Sequence, residues 1–471
     1  MRLKKVVMSI VAVIGFTVAG GSWYTGKQVE QHYQQFLDKT NDSLKQLNYY
    51  GINASLNVIQ FDRGWFSSDI AYRIDVQLDK TPYHIHGKDT LYHGPLPFNR
   101  LLKGNIVPVM ASTESQMNVP EQIQALMDNK LLLSGQGSLT YGGVWQGHYQ
   151  ISPIKSDIIT TSAIEYDVEW DNSGGAKGKV NVGEITFNSP NAVIPSSLNM
   201  RDLVYDFDFN PADKAYPLLS VGQSTFKLKS MILDHLDSDM PFSLLALYDL
   251  SSSNRNAFTN GRLMGESDFS ANLLLSNPKH KSDFGQIRLN VNADTDAKAT
   301  HDFIHGIVNN APHGQASDDA IAFVFKLIGA GISFNLNEFS LENSKGKSQL
   351  ALNVNLQANP DNQLANFEEI LQLFKQSQLS ITLNRAMAEE AVKQFVSFYP
   401  QWKERAEHIA KEDMANLVQW LQQTELADVA STQITLTLSI DQGQFKLNGK
   451  AIPQEQVQGL LFMLILGLGS L

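Results

Sequence analysis

Along much of the chain, apolar and polar residues alternate with a period of two. The clearest run is 70–79, where Ile70, Tyr72, Ile74, Val76 and Leu78 interleave with Ala71, Arg73, Asp75, Gln77 and Asp79. Successive side chains of a strand point to opposite faces, so this run predicts a strand with one buried and one wet face. Ile164, Tyr166, Val168 and Trp170 repeat the pattern and stop at a turn-forming stretch, Asp-Asn-Ser-Gly-Gly. Leu203, Tyr205, Phe207 and Phe209 follow it, as do Ile287, Leu289 and Val291. Two further pairs of runs read as hairpins turning at 343–347 and 441–444, each with a glycine available for positive φ. Strands of this kind predict one long curved antiparallel meander packed on one face.

The spacing changes in a few places. Val29, Tyr33, Phe36, Leu37, Leu44 and Leu47 suit a stalk or docking helix over 27–47. Ser317 before Asp318 and Asp319 is an N-cap signal, and the following AIAFVFKLIGAG is apolar nearly all round, which predicts a buried helix. Residues 367–374 form a short helical candidate. Residues 386–399 and 401–422 form a helical pair broken at Pro400, where a helix would lose a hydrogen bond. The fold class is therefore α+β, mainly antiparallel β, with helices concentrated in the C-terminal third. Three segments follow: an anchor over 1–26, a β-rich body with a leading stalk helix over 27–360, and C-terminal helices, a last hairpin and an apolar tail over 361–471.

The anchor rests on an uncharged run behind Arg2, Lys4 and Lys5. It includes Val6, Val7, Ile10, Val11, Val13, Ile14, Phe16 and Val18 and ends at Trp23 and Tyr24. Its length is close to the roughly 20 residues that cross a bilayer as a helix. The cations predict a cytoplasmic N-terminus, and the two aromatics fit the far interface. Ala19, Gly20 and Gly21 keep a cleaved signal peptide as the alternative, although the run exceeds a usual signal core. The tail, 457–471, is uncharged but short for a span. It reads as a closing helix, a lipid contact or a dimer seam.

Composition narrows the function classes. A formal charge of -11 without a basic stripe argues against nucleic-acid binding, and direct polybasic docking to a membrane is not expected. With no cysteine there is no disulfide, thiolate metal site or cysteine nucleophile.

Candidate chemistry is sparse. The Gly-Lys-Ser at 346–348 lacks the earlier glycine of a phosphate loop and sits between two strands. Ser224 with Lys227, and Ser152 with Lys155, have the serine–lysine spacing of some acyl-transfer enzymes, but so short a match arises readily by chance. His84 with His86, and His301 with His305, have ligand spacing without a third ligand. No cofactor is expected. His93 lies beside Gly94, Pro95 and Pro97, a rigid corner that terminates a strand. A hydrolase using His93 and a nearby serine such as Ser67 or Ser68 is a third reading, and a hydrogen-bonded structural histidine is the commoner case. The cluster Arg63, Gly64, Trp65, Phe66, Ser67 and Ser68 reads instead as a corner: Gly64 a bend, Trp65 and Phe66 anchors into the core, the serines backbone caps, and Arg63 a partner for an acidic neighbour.

Several stretches, in order, carry a resemblance. GGSWYTGKQVE, FDRGWFSS, HGPLPF, VPVMAS, ENSKGKS and GQFKLNGK resemble the landmarks of the YdgA family of bacterial envelope proteins, over nearly the whole chain. The resemblance implies a single-pass inner-membrane protein with its bulk in the periplasm, and brings no catalytic residues. An N-terminal anchor ahead of a long β meander is more loosely similar to AsmA-type proteins, which implies lipid traffic by fold-level analogy. The expectation is a non-enzymatic envelope protein that binds an apolar or lipid ligand, or an envelope partner, in an apolar groove. A scaffold homodimer joined through 386–422 or the tail is the alternative.

Overall fold

The computed structural model describes residues 52–78, 81–128, 130–171, 173–189, 196–235, 241–310, 318–359, 372–441 and 443–453, together with residues 38, 41, 42, 44 and 45. The expected anchor, Ser317, the tail and most of the expected 27–47 and 367–374 helices lie outside them. Among the described residues no helix is long and apolar enough to cross a membrane. These residues form two units. The first runs through Pro211 and adds 222–229; the second takes 212–221, 230–310 and the residues from 318 onward.

The first unit is an antiparallel sheet. Its strands are β1 (Ile52–Arg63), β2 (Ser67–Leu78), β3 (Thr81–His93), β4 (Ala111–Asn118), β5 (Leu131–Leu139), β6 (Trp145–Ile151), β7 (Ile159–Thr161), β8 (Ile164–Trp170), β9 (Ala176–Ser189) and β10 (Ser196–Pro211). Each of β1 to β6 pairs with its chain neighbour. Then β6 pairs with β8, β8 with β9 and β9 with β10. A one-turn helix, α1 (Phe98–Leu101), lies between β3 and β4.

The expected alternation is present over 70–77: Tyr72, Ile74 and Val76 are buried, and Arg73 and Asp75 lie on the other face. It belongs, however, to the second strand. Ile52, Ala54 and Leu56 of β1 point into the same core, and a register shift between Val58 and Gln60 interrupts the period before the strand ends. Asn41 closes the core from outside, donating from Nδ2 to the Leu56 carbonyl and accepting from the Leu56 N–H, while Leu44 is buried in the cluster. Asn41 and Leu44 thus dock on the sheet.

Large rings fill the core by lying across glycines, on the neighbouring strand or, for Gly147, on the same one. Tyr72 covers Gly87, Tyr149 covers Gly135 and Gly147, and Trp145 covers Gly137, each so closely that a Cβ could not be added without displacing the ring. Without a side chain of its own, each glycine gives an aromatic ring a flat seat.

After β11 (Ser220–His235), the second unit is a meander of β12 (Leu244–Thr259), β13 (Arg262–Asn277), β14 (His280–Asp296), β15 (Ile332–Asn343), β16 (Gly346–Leu356) and β17 (Ser377–Asn384). It ends in β18 (Asp428–Val429), β19 (Gln433–Asp441), β20 (Gln444–Leu447) and β21 (Lys450–Ile452). Both expected hairpins are present, β15–β16 and β19–β20. Helices α2 (Ala297–Asn310) and α3 (Asp318–Gly329) connect β14 to β15; α4 (Arg385–Val396) and α5 (Ala406–Thr424) fall between β17 and β18. The break near Pro400 is as expected, and Asn384 caps α4 by accepting from the Met387 N–H. The burial expected for α3 is not observed at Val324, which is 41% exposed: the helix turns that side chain to solvent.

Candidate functional site

The corner reading of 63–68 fails at its aromatic residues. Gly64 does make the bend, its N–H donating to the Ser67 carbonyl at 2.8 Å, and a Cβ there would stand 2.9 Å from that oxygen. Trp65, though, is 95% exposed and Phe66 is 66% exposed. They sit at the tip of the β1–β2 hairpin, beyond the reach of the core. Arg63 is exposed as well.

Beside this tip lies the β3–β4 connection. Gly94 donates to the Met110 carbonyl and Val109 to the Pro95 carbonyl, which pulls the connection into a closed loop. Leu96, Phe98, Leu102, Ile106 and Val107 are all exposed on it. The Phe66 and Phe98 rings meet edge to face with centroids 5.5 Å apart, joining the two loops into one apolar surface. Trp65 and Phe66 stood out in the sequence, whereas Leu102, Ile106 and Val107 did not. Their signal was a Leu-Leu and an Ile-Val pair in a stretch too short and irregular for a strand or helix to hide them.

His93 fastens the tip to the sheet. Its Nε2 is 3.0 Å from Ser68 Oγ and its Nδ1 is 3.4 Å from the Trp65 carbonyl oxygen. A serine and histidine in contact are the start of a nucleophilic pair, and the sequence had singled out both residues. The surroundings differ from a hydrolase: Ser68 is 1% exposed, and a main-chain carbonyl stands where a triad places a carboxylate. The arrangement works as a clasp.

On the wet face of the same unit, an open groove of about 900 Å³ crosses β4 to β10 and reaches Gln223, Ser224 and Thr225 of β11. At one end Arg100, Lys103 and Asn105 of the β3–β4 connection form its wall. Arg100 Nη1 donates to Ser138 Oγ and Nη2 to the Val107 carbonyl, while its Nε is buried without a hydrogen-bond partner. Lys103 Nζ donates to Gln136 Oε1 at 2.7 Å and meets Glu114 at 3.3 Å.

Further along, a charge lattice lines the floor. The register sets Asp167 opposite Lys179 and Glu169 opposite Lys177 on one side of β9, and Asp206 opposite Lys179 and Asp208 opposite Lys177 on the other. Lys177 Nζ is 2.7 Å from Glu169, a bond that raises its pKa, and His148 Nδ1 lies 2.8 Å from Asp167. Polar and charged side chains line most of this groove, in contrast to the apolar groove expected from the sequence.

The remaining candidates stay apart. Ser224 is buried while Lys227 is exposed, three residues along one strand and so on opposite faces. His84 Nδ1 pairs with Asp75, and the His301 and His305 rings are 6.2 Å apart. No group of three or more His, Asp or Glu among the described residues is placed to hold a metal ion. The Gly-Lys-Ser stretch opens β16 from a hairpin turn. Among the described residues one carboxyl is buried, that of Asp89, which accepts from Tyr72 Oη at 3.2 Å; burial pushes its pKa up to about 7 against that bond.

An antiparallel β-sheet protein with an apolar tip beside a polar groove is thus the class the structure defines. The chain belongs to the family described as "Bacterial protein of unknown function (DUF945)", which matches residues 3–455. It is similar to Protein YdgA of Escherichia coli, with 23% identity covering 98% of this chain and 97% of the relative. An uncharacterized protein of Haemophilus influenzae shares 26% identity over 43% of this chain and 59% of its own length. The uncharacterized protein YihF of Escherichia coli shares 22% over 50% of each. No solved structure matches the chain.

Proposed function

We propose that this is a non-enzymatic protein of the bacterial envelope, held at the inner membrane by 6–24 with its body in the periplasm, and that the first unit binds an amphiphile with a charged head. One observation carries the reading: a single connection supplies both surfaces. Arg100, Lys103 and Asn105 line the polar groove, while Leu102, Ile106 and Val107 between and after them face outward on the apolar tip. A head group bearing an anion meets Arg100 and Lys103, its hydroxyls or amines meet the carboxylates and amides beyond, and its apolar part meets the tip. The volume, about 900 Å³, falls within the range of small-ligand sites. The uncharged 6–24 run behind three cations supports the anchoring, and the family resemblance supports the compartment.

Full-length protein extracted into a polymer-bounded membrane disc and purified should retain a stoichiometric amphiphile by mass spectrometry. A Lys103→Glu, Lys177→Glu variant of unchanged melting temperature should lose it. Equal recovery from both proteins would end the proposal.

A further inference from the structure

We propose that the tip built from 63–66 and 94–107 docks directly on an anionic lipid surface. This does not depend on the groove holding a ligand. The first ground is composition and placement. Seven apolar side chains, Trp65, Phe66, Leu96, Phe98, Leu102, Ile106 and Val107, are exposed together, with Trp65 at 95% and Leu102 at 88%. Contiguous exposed apolar surface of this kind marks an interaction site, and aromatics with Leu and Ile are what the bilayer interface accepts.

The second ground is charge. The whole chain carries a formal charge of -11, yet the 93–110 connection contains Arg100 and Lys103 and no Asp or Glu; the hairpin tip adds Arg63, with Asp62 and Asp69 flanking it. Glu114 of β4 reaches Lys103, but as a half-exposed surface pair, which water leaves weak. A cationic connection on an acidic protein complements anionic head groups, and it repels the same connection of a second copy brought tip to tip.

The third ground is the backbone. A loop whose apolar side chains reach past the head groups benefits from satisfying its own N–H and C=O groups, because water to bond them is scarce below that layer. Here the Leu101, Leu102, Gly104 and Asn105 N–H groups donate to the Pro97, Phe98, Leu101 and Arg100 carbonyls, and the Val109 N–H to that of Pro95. The apolar side chains are thereby presented by a folded loop, and the cations have stems long enough to reach phosphates.

The chain has no cysteine, so Leu102→Cys gives a single site for a fluorescent label, and Gln77→Cys gives a control on exposed sheet surface about 30 Å away along β2. Each labelled full-length protein is placed in nanodiscs of brominated phosphatidylcholine, with or without phosphatidylglycerol. The expected result is several-fold stronger bromine quenching at 102 than at 77 in the anionic discs. It falls to the level of position 77 when Trp65→Ser and Phe66→Ser are added, and is weaker in neutral discs. Quenching at 102 no greater than at 77 would overturn the proposal, and equal quenching in both kinds of disc would overturn its anionic specificity. So would a label at 102 that is already shielded from aqueous iodide in lipid-free detergent solution, which would put a second copy or the 457–471 tail on the tip.

Discussion

Phe66 and Phe98 touch edge to face across two loops that are 32 residues apart in sequence, with their ring planes at 81°. Both rings remain more than half exposed, Phe66 at 66% and Phe98 at 53%. An aromatic pair of this geometry contributes about 0.5–1.5 kcal/mol beyond its burial, which fixes the loops relative to each other but does not account for leaving so much apolar surface in water. The tip is therefore surface that the fold holds in place and does not use.

Two tryptophans of the same unit should then behave oppositely. Trp65 touches solvent nearly all round, whereas Trp145 is 1% exposed and packs with Leu91, Ala111 and Leu139. Trp65→Ser should leave the unfolding free energy from urea titration within about 0.5 kcal/mol of the parent. Trp145→Ala should cost about 3–5 kcal/mol, the usual range for emptying a core aromatic site. A destabilisation of similar size at both positions would mean that Trp65 is packed after all.

The strand grammar was legible because period-two alternation is a direct consequence of one-sided burial, and β2, β8, β10 and β14 each carried it in their own residues. β1 was not read, although Ile52, Ala54 and Leu56 alternate: the register shift at Val58/Gln60 breaks the period just where the hairpin should have been recognised. The same break misplaced Trp65 and Phe66. Two aromatics in front of a strand look like anchors unless the strand before them is known, and once it is, they fall on a hairpin tip. The groove could not be read from sequence. It depends on Lys177 and Lys179 lying between carboxylates from β8 and β10, a register relationship that no single strand contains.

Asp89 gives the core a pH dependence with a definite sign. Its folded pKa lies above the ordinary carboxyl value of 3.8, at about 7, chiefly because burial penalises the anion. A raised acid binds its proton more tightly when folded, so this contribution is fully present below about pH 4 and is lost as pH climbs towards 7. At 1.36 kcal/mol per unit the loss is ~4 kcal/mol, an upper figure because the surroundings can relax around the charge. Asp89→Asn keeps an acceptor for Tyr72 and removes the titration. Chemical denaturation at pH 5 and pH 8 should show the parent weakening by up to about 2–3 kcal/mol and the variant by less than half as much. Parallel profiles would place the titration on another group.

The aromatic seats set a steric test. A Cβ on Gly137 would stand 2.0 Å from Trp145 Cζ2, in a site where the ring has 1% exposure and no room to retreat. Gly142, in the exposed β5–β6 turn, would place its Cβ no nearer than 3.8 Å to any neighbour. Overpacking a filled core typically costs about 1–3 kcal/mol, so Gly137→Ala should fall in that range by thermal unfolding, while Gly142→Ala should be close to neutral. If Gly137→Ala is neutral too, Trp145 does not lie flat on that strand.

Ser68 and His93 admit the most direct choice between chemistry and architecture. As a clasp, the 3.0 Å contact between Ser68 Oγ and His93 Nε2 ties the start of β2 to the end of β3, and the two residues should be energetically coupled. A double-mutant cycle of Ser68→Ala and His93→Ala should return an interaction energy on the order of 1 kcal/mol, the size of a part-buried neutral hydrogen bond. Ser68 is 1% exposed, so a fluorophosphonate probe should leave it unlabelled in the folded protein. Activation needs a base positioned by a further group and a nucleophile that a substrate can reach; here the Trp65 carbonyl holds the ring and the core encloses the hydroxyl. Stoichiometric labelling of Ser68, lost in His93→Ala, would reverse that conclusion and make the pair a nucleophile and its base.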